Sequence, residues 1–263
     1  MSEFRVLSKQ IIAQHVKRMD ITAPDIAKSA RPGQFVLVMA DAFSLRLAIP
    51  IVETNPQKGT IAIVFNEESP AWQRIGDLPI GHSLDVVMGP LGDPALPKAL
   101  ETSVCIGYEL GIARMVPISR YLQKHGSKNF SILGAATKRS LLMESQMRLS
   151  SHSIFVMSED GSVGRKGFVT DALSDVLARY PVEQIFIAAP SKIIHEVLNI
   201  AGKKKIKVNA VLAPVALSGI GLCGSDRVKL NDGYVSFTAS GPIFDAQQVD
   251  LNFYEERFIR SYG

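Results

Sequence analysis

Few residues in this chain are of a type that does chemistry unaided. There are two cysteines, Cys105 and Cys223, and five histidines, His15, His82, His125, His152 and His195. A transition-metal site needs His, Cys or carboxylate ligands at short, repeated spacings. The histidines have neither that spacing nor a paired carboxylate motif, so each reads as a surface or cap residue. Ser218 lies in Ser218-Gly-Ile-Gly, which is not the Gly-x-Ser-x-Gly turn that exposes a nucleophilic serine between a strand and a helix. Cys223 has no base beside it that would make it a nucleophile. The one tight basic run is Lys203, Lys204, Lys205 and Lys207. A nucleic-acid surface requires a broader stripe, so this run reads as a solvated turn before a strand and no nucleic-acid partner is expected.

The chemistry must therefore come from how the chain is folded around other groups. Its 263 residues are 46% hydrophobic and 21% charged with a net charge of +4, the profile of a globular chain with a real core. Two cysteines are too few for a disulfide framework at this length. The start, Met1-Ser-Glu-Phe-Arg5, lacks the charged-then-apolar layout of a signal peptide. No run approaches the roughly 18 apolar residues of a membrane span, so a cytoplasmic location is the expectation.

The first third alternates as strands do. Residues 4–13, 15–21, 34–39 and 60–65 are β-rich runs separated by turn signals such as Arg31-Pro32-Gly33, and Leu84-Asp-Val-Val-Met-Gly-Pro-Leu-Gly92 closes the region. Short strands at close spacing predict an antiparallel β-barrel over residues 1–97. From Ser103 the rhythm changes. Strands at 103–107, 130–134, 153–157, 184–190 and 206–212 alternate with helices at 112–125, 140–149, 170–179 (Thr170 as cap) and 191–201 (Ser191 as cap). That alternation predicts a parallel α/β domain over 98–212. A small C-terminal lobe, 213–263, is Gly-rich, then polar, and ends in a helix from Leu251 to Ser261.

Five stretches occur in a recognisable order: Pro32-Gly-Gln-Phe-Val, Gly89-Pro90-Leu-Gly, Glu159-Asp160-Gly161-Ser-Val-Gly-Arg-Lys-Gly-Phe-Val-Thr, Leu222-Cys-Gly and Gly241-Pro-Ile-Phe-Asp. Together they resemble the ferredoxin-NADP reductase superfamily. More narrowly, they are similar to the small electron-transfer subunits found with dihydroorotate dehydrogenase, sulfide dehydrogenase and NADH-dependent ferredoxin:NADP oxidoreductase. The resemblance implies an FAD-binding barrel, an NAD(P)-binding α/β domain and a lobe for a 2Fe–2S cluster. It also implies a larger redox subunit, a flavoprotein or iron–sulfur protein, as partner.

Position by position, the expected contacts are altered. The family's Arg-x-Pro-Leu-Thr-Ile segment is Arg46-Leu-Ala-Ile-Pro50-Ile here. Arg46 can still pair with the FAD diphosphate, but Pro50 has neither the hydroxyl nor the N–H expected at the flavin edge. The phosphate-holding turn is Asn66-Glu-Glu-Ser-Pro-Ala-Trp72, with two carboxylates and no glycine. Its plainer reading is a surface turn with Trp72 packed on the barrel. The dinucleotide loop is Gly107-Tyr-Glu-Leu-Gly111, where Tyr108 adds bulk and Glu109 adds negative charge at an anion site. Glu109 is expected to occupy the place of the missing phosphate. Ala136 stands where the family has an arginine that contacts the nucleotide, and Ala189-Pro-Ser-Lys-Ile-Ile stands for its Gly-Pro-x-x-Met-Met. Asp160 and Gly161 lie in a well-kept loop that borders the nucleotide ribose in relatives; turn geometry alone also accounts for its glycines.

In the cluster lobe only Cys223 is in place. Asp226 and Thr238 stand for thiolates, and Ser218 for a carboxylate. Four ligands, ordinarily thiolates, are needed, so a 2Fe–2S cluster is not expected and Cys223 reads as a vestigial ligand. Asp226, Arg227, Ser218 and Thr238 are expected to form a hydrogen-bonded network in the vacated space. Three readings follow. One is a subunit of a redox complex with FAD and NAD(P) binding weakened or lost. Another is a cofactor-free structural or regulatory subunit that keeps the reductase fold to bind a larger partner. The third is an enzyme of altered specificity that uses the vacated cleft for another ligand. No catalytic residue is assigned.

Overall fold

The structure is a computed structural model, and it describes residues 4–94, 96–97, 99–213 and 224–262. The described residues divide into two compact units, one within Met1–Pro94, Ala213–Pro242 and Phe253–Gly263, the other within Ala95–Leu212 and Ile243–Asn252.

In the first unit, strands β1 (Val6–Ala13), β2 (Val16–Thr22), β3 (Phe35–Met39), β4 (Leu47–Asn55), β5 (Thr60–Asn66) and β6 (Val86–Leu91) form one six-stranded sheet. Its order is β1-β2-β5-β4-β3-β6, with every pairing antiparallel. Alternating apolar residues on these strands, among them Met19, Ile21, Val36, Val38, Ile49, Ile61 and Ile63, meet in one core. Each fully buried side chain of this size contributes about 1.5–3 kcal/mol. The expected barrel is corrected in one respect. The strand ladder is open, since β1 and β6 are not paired along their length; only an isolated Arg5–Ser83 bridge and bonds such as Val6 N–H to His82 O join the two margins. Two short helices, α1 (Pro24–Ser29) and α2 (Pro70–Asp77), carry proline at their first turn, where a missing N–H costs nothing. Neither is long enough to leave a periodic signature in the sequence.

The second unit holds β7 (Thr102–Tyr108), α3 (Gly111–Lys124), β8 (Lys128–Ala135), α4 (Glu144–Leu149), β9 (Ser153–Ser158), β10 (Arg165–Lys166), α5 (Val169–Arg179), β11 (Gln184–Ala188), α6 (Ser191–Gly202) and β12 (Lys207–Val211). The polypeptide then returns to the first unit as the hairpin β13 (Arg227–Leu230) and β14 (Gly233–Ser236) with the one-turn α7 (Phe237–Ser240). Finally β15 (Ile243–Asp245) adds to the second unit antiparallel to β12, and α8 (Leu251–Tyr262) follows. The sheet order is β10-β9-β8-β7-β11-β12-β15. The chain starts at β7, steps outward through β8 and β9 to β10, then resumes on the other side of β7 with β11. That reversal creates a switch point at the carboxyl ends of β7 and β11, where open α/β sheets bind ligands.

The expected start of α6 at Ser191 is met, but one helix start and two caps differ from expectation. α4 begins at Glu144 rather than Ser140, because the Ser140 N–H and hydroxyl both donate to Thr137 O and Met143 has a left-handed backbone (φ 51°). Thr170 lies inside α5; the capping interaction is instead the Phe168 N–H donating to Asp171 Oδ2 at 2.8 Å. Ser191 is the first residue of α6 and donates its hydroxyl to Leu251 O at 3.2 Å.

Candidate cofactor sites

At the carboxyl end of β7, Gly107 and Gly111 are both held by packing. A Cβ on Gly107 would lie 2.7 Å from the Ile112 Cα, and one on Gly111 would collide with the Ala188 carbonyl oxygen at the end of β11. The two glycines let α3 settle against the sheet. Between them Glu109 adopts a left-handed backbone (φ 46°), a conformation unfavourable for a residue with a side chain. Its N–H donates to Gly134 O at 2.8 Å, and its Oε1 accepts the Ala136 N–H at 3.2 Å. The loop is thus tied to the end of β8 through one backbone and one side-chain bond.

Tyr108 reaches across β8 to donate its hydroxyl to Glu159 Oε1 at 2.6 Å, just beyond the end of β9. A Cβ on Gly134 would collide with the Val169 side chain and press on the Tyr108 ring, so that glycine makes room for both. Burial, then the bond to Glu159, then the negative charges of Glu109 and Glu159 push the phenol above its ordinary pKa, so it stays a donor. A small cleft beside this pair is lined by Tyr108, Ala135, Met157, Glu159, Phe168 and Glu196. In the loop after β9, Asp160 accepts from the Ser162 N–H and hydroxyl, which hold its carboxyl below the usual range. Gly161 (φ 81°) and Gly164 (φ 63°) have left-handed backbones, so turn geometry alone accounts for glycine at both.

In the first unit, Arg46 is exposed immediately before β4 rather than within a strand. Pro50 faces Phe35 across the β3–β4 pairing, and Phe35 in turn pairs with Leu91 of β6. Gly89 and Pro90 lie in β6, joined by a cis peptide, and a Cβ on Gly89 would meet Val36 at 2.9 Å. In the turn before α2, Glu67 pairs with Lys17 at 2.6 Å, and Trp72 stacks on Phe65 with ring centroids 5.9 Å apart. The packing expected of Trp72 is present, on a helix rather than a turn.

Ser218 and Cys223 lie outside the described residues. Of the expected polar network, Asp226 and Thr238 are joined. Thr238 donates its hydroxyl to Asp226 Oδ1 at 2.6 Å and its N–H to the same oxygen at 3.0 Å. Ser236, which the sequence did not single out, donates to Oδ2 at 2.7 Å. Among the described residues, no group of three or more His, Cys, Asp or Glu side chains is arranged to hold a metal ion. Cys105, in the middle of β7, is fully buried, and burial pushes its thiol far up despite a hydrogen bond to Asn129. No described helix is long and apolar enough to cross a membrane.

No family model matches the chain. It is 28% identical over 246 residues to a dihydroorotate dehydrogenase B (NAD(+)) electron transfer subunit homolog of Thermotoga maritima, covering 93% of this chain and 86% of the relative. Similarity to the dihydroorotate dehydrogenase B electron transfer subunit of Desulforamulus reducens is 26% over 253 residues, covering 93% and 96%. A solved structure of an NADH-dependent reduced ferredoxin-NADP oxidoreductase superimposes with a TM-score of 0.89 at 27% identity, covering 100% of this chain and 97% of that one. The chain has the ferredoxin reductase fold. Within that fold, the pairs Tyr108–Glu159 and Asp226–Ser236 had no sequence signal. Their members are far apart along the chain or separated by a hairpin, and only the register of the sheets brings them together.

Proposed function

We propose that this protein is a subunit of a redox complex, built as an electron-transfer subunit whose own hold on FAD and NAD(P) is weakened or lost. The names of its relatives, electron transfer subunits of a dihydroorotate dehydrogenase, support the first part, as does their near full-length alignment. A larger flavoprotein or iron–sulfur protein is the partner this reading calls for. Along this chain, the same proposal takes residues 1–97 as flavin-binding type, 98–212 as nucleotide-binding type and 213–263 as the former cluster lobe.

The observation that carries the second part is the Glu109–Ala136 bond. A dinucleotide pyrophosphate is held by backbone N–H groups at such a loop. Here a carboxylate from that loop reaches the neighbouring Ala136 N–H beyond β8 and places a negative charge beside the loop, with Glu159 close by on Tyr108. Gly107 and Gly111 are accounted for by helix packing, and Asp160 and Gly161 by turn geometry. These residues do not fit a pyrophosphate. At the flavin position Arg46 suits a phosphate, whereas Pro50 and Pro70 offer no N–H and Glu67 brings a carboxylate bound to Lys17. Gly89 is accounted for by its close approach to Val36, and Arg46 is the residue among these whose charge suits the FAD diphosphate.

If FAD and NADH bind, the chemistry they supply is hydride and electron transfer, and this chain would orient them. The test is the visible spectrum of the purified protein and an NADH titration, alongside recovery of the complex from its native source. Substoichiometric flavin, weak NADH binding and a co-purifying larger redox subunit are expected. Tight stoichiometric dinucleotide binding would overturn the loss of grip. A colourless protein that still holds its partner would favour the cofactor-free structural or regulatory role.

A further inference from the structure

Asp226 is a fully buried carboxylate, and its partners lie at the end of β14 and in α7. Oδ2 accepts from Ser236, and Oδ1 accepts from both the hydroxyl and the N–H of Thr238. Ser236 Oγ also accepts the Ala239 N–H at 3.3 Å, so the same carboxylate fixes the cap of α7. Three donors on one buried carboxylate form a strong, geometrically specific anchor, and removing the acceptor leaves those donors unsatisfied.

What the anchor holds is informative. Phe237, between the two donors, is completely buried, and its ring meets Phe35 edge to face at 5.6 Å between centroids. Thr238 O accepts the Gly92 N–H at 2.8 Å, and Gly92 O accepts from Gln34 Nε2 at 2.7 Å. A Cβ on Gly92 would sit 2.5 Å from Gly241 O, so the two segments are in direct backbone contact. Phe35 is the residue flanked by Pro50 on β4 and Leu91 on β6.

We infer that the Asp226–Ser236–Thr238 knot is an iron-independent anchor that stands where cluster ligation would be and fastens this lobe to the β3–β6 strands of the flavin-type sheet. It rests in part on the reading above, because Asp226 and Thr238 are the positions that correspond to cluster ligands. Their oxygens are joined to each other by a 2.6 Å hydrogen bond, and that bond would have to be broken before either could become a ligand.

The full chain is tested by amide hydrogen exchange and thermal melting, in the wild type and in Asp226→Ala, Asp226→Asn and Thr238→Val. Wild-type protein should melt at the same temperature with and without an iron chelator. Anaerobic incubation with ferrous iron and sulfide should leave no stoichiometric cluster absorbance. In Asp226→Ala the Gly92 amide should exchange about ten-fold faster or more, as expected for losing roughly one to two hydrogen bonds' worth of local stability. Amides of β8 and β11 should hardly change. If Asp226→Ala does not fold, Thr238→Val gives the same readout with the carboxylate retained. Unchanged exchange at Gly92 in the folded variants, or a cluster that assembles on the wild type, would overturn the inference. Neither result depends on whether a larger redox subunit co-purifies, so failure here is distinguishable from failure of the proposed function.

Discussion

Replacing Glu109 with glycine should create or strengthen NADH binding while leaving the fold nearly as stable. Two changes in stability oppose each other. The variant loses the Glu109 Oε1 bond to the Ala136 N–H, a charged hydrogen bond of about 1.5–3 kcal/mol. It also relieves a left-handed residue bearing a side chain, a strain of about 1–3 kcal/mol. The two offset, so the melting midpoint should move by only a few degrees. For binding, a phosphate that uses the Ala136 amide must displace Glu109 in the wild type but not in the variant. The bond no longer in competition corresponds to a gain of about ten- to a hundred-fold in affinity. The assay is NADH titration by fluorescence or calorimetry at fixed ionic strength, with Glu109→Gln as the control that removes charge and keeps bulk and backbone strain. Glutamine should give a smaller gain than glycine, and added salt should narrow the gap between wild type and glutamine. A glycine variant that binds no better than the wild type would refute the idea that this carboxylate stands in the anion's place.

Three further outcomes follow from the same geometry. Gly111→Ala should cost about 1–3 kcal/mol in urea unfolding, because the new methyl meets the Ala188 backbone carbonyl, which no side-chain rotation can relieve; a stabilised variant would remove the packing account of that glycine. In a Cys223→Ser background, the remaining thiol, Cys105, should be inert to thiol reagents in the native protein and react on unfolding, since burial holds it protonated. Prompt labelling without denaturant would contradict its position in β7. Cys105 and Tyr108 are acids whose pKa values are raised in the fold from ordinary values of 9.0 and 10.0. The unfolded chain therefore binds fewer protons at high pH, and the stability they contribute is intact below about pH 9 and falls as pH rises further. Urea midpoints measured from neutral to alkaline pH should show that decline, less steeply above pH 10 in Tyr108→Phe.

Local pattern was enough for the two kinds of sheet. Alternation in residues 4–92 marks antiparallel strands, and strand–helix repetition from Ser103 to Val211 marks a parallel α/β unit, because pleat and helix periods are properties of neighbouring residues. The altered types at Pro50, Glu109, Asp226 and Thr238 were also legible, since a missing N–H or an added charge is a property of the residue itself. Helix caps were not. Ser140 and Thr170 have the chemistry of caps, yet the Thr137 carbonyl and the Asp171 side chain, each fixed by its own surroundings, settled where the helices begin. Tertiary structure alone decided that Gly111 faces a carbonyl, that Tyr108 finds Glu159, and that Ser236 joins the expected Asp226–Thr238 pair. Those contacts join residues that no local interaction couples. They exist only once sheet order and register have brought distant strand ends to the same place.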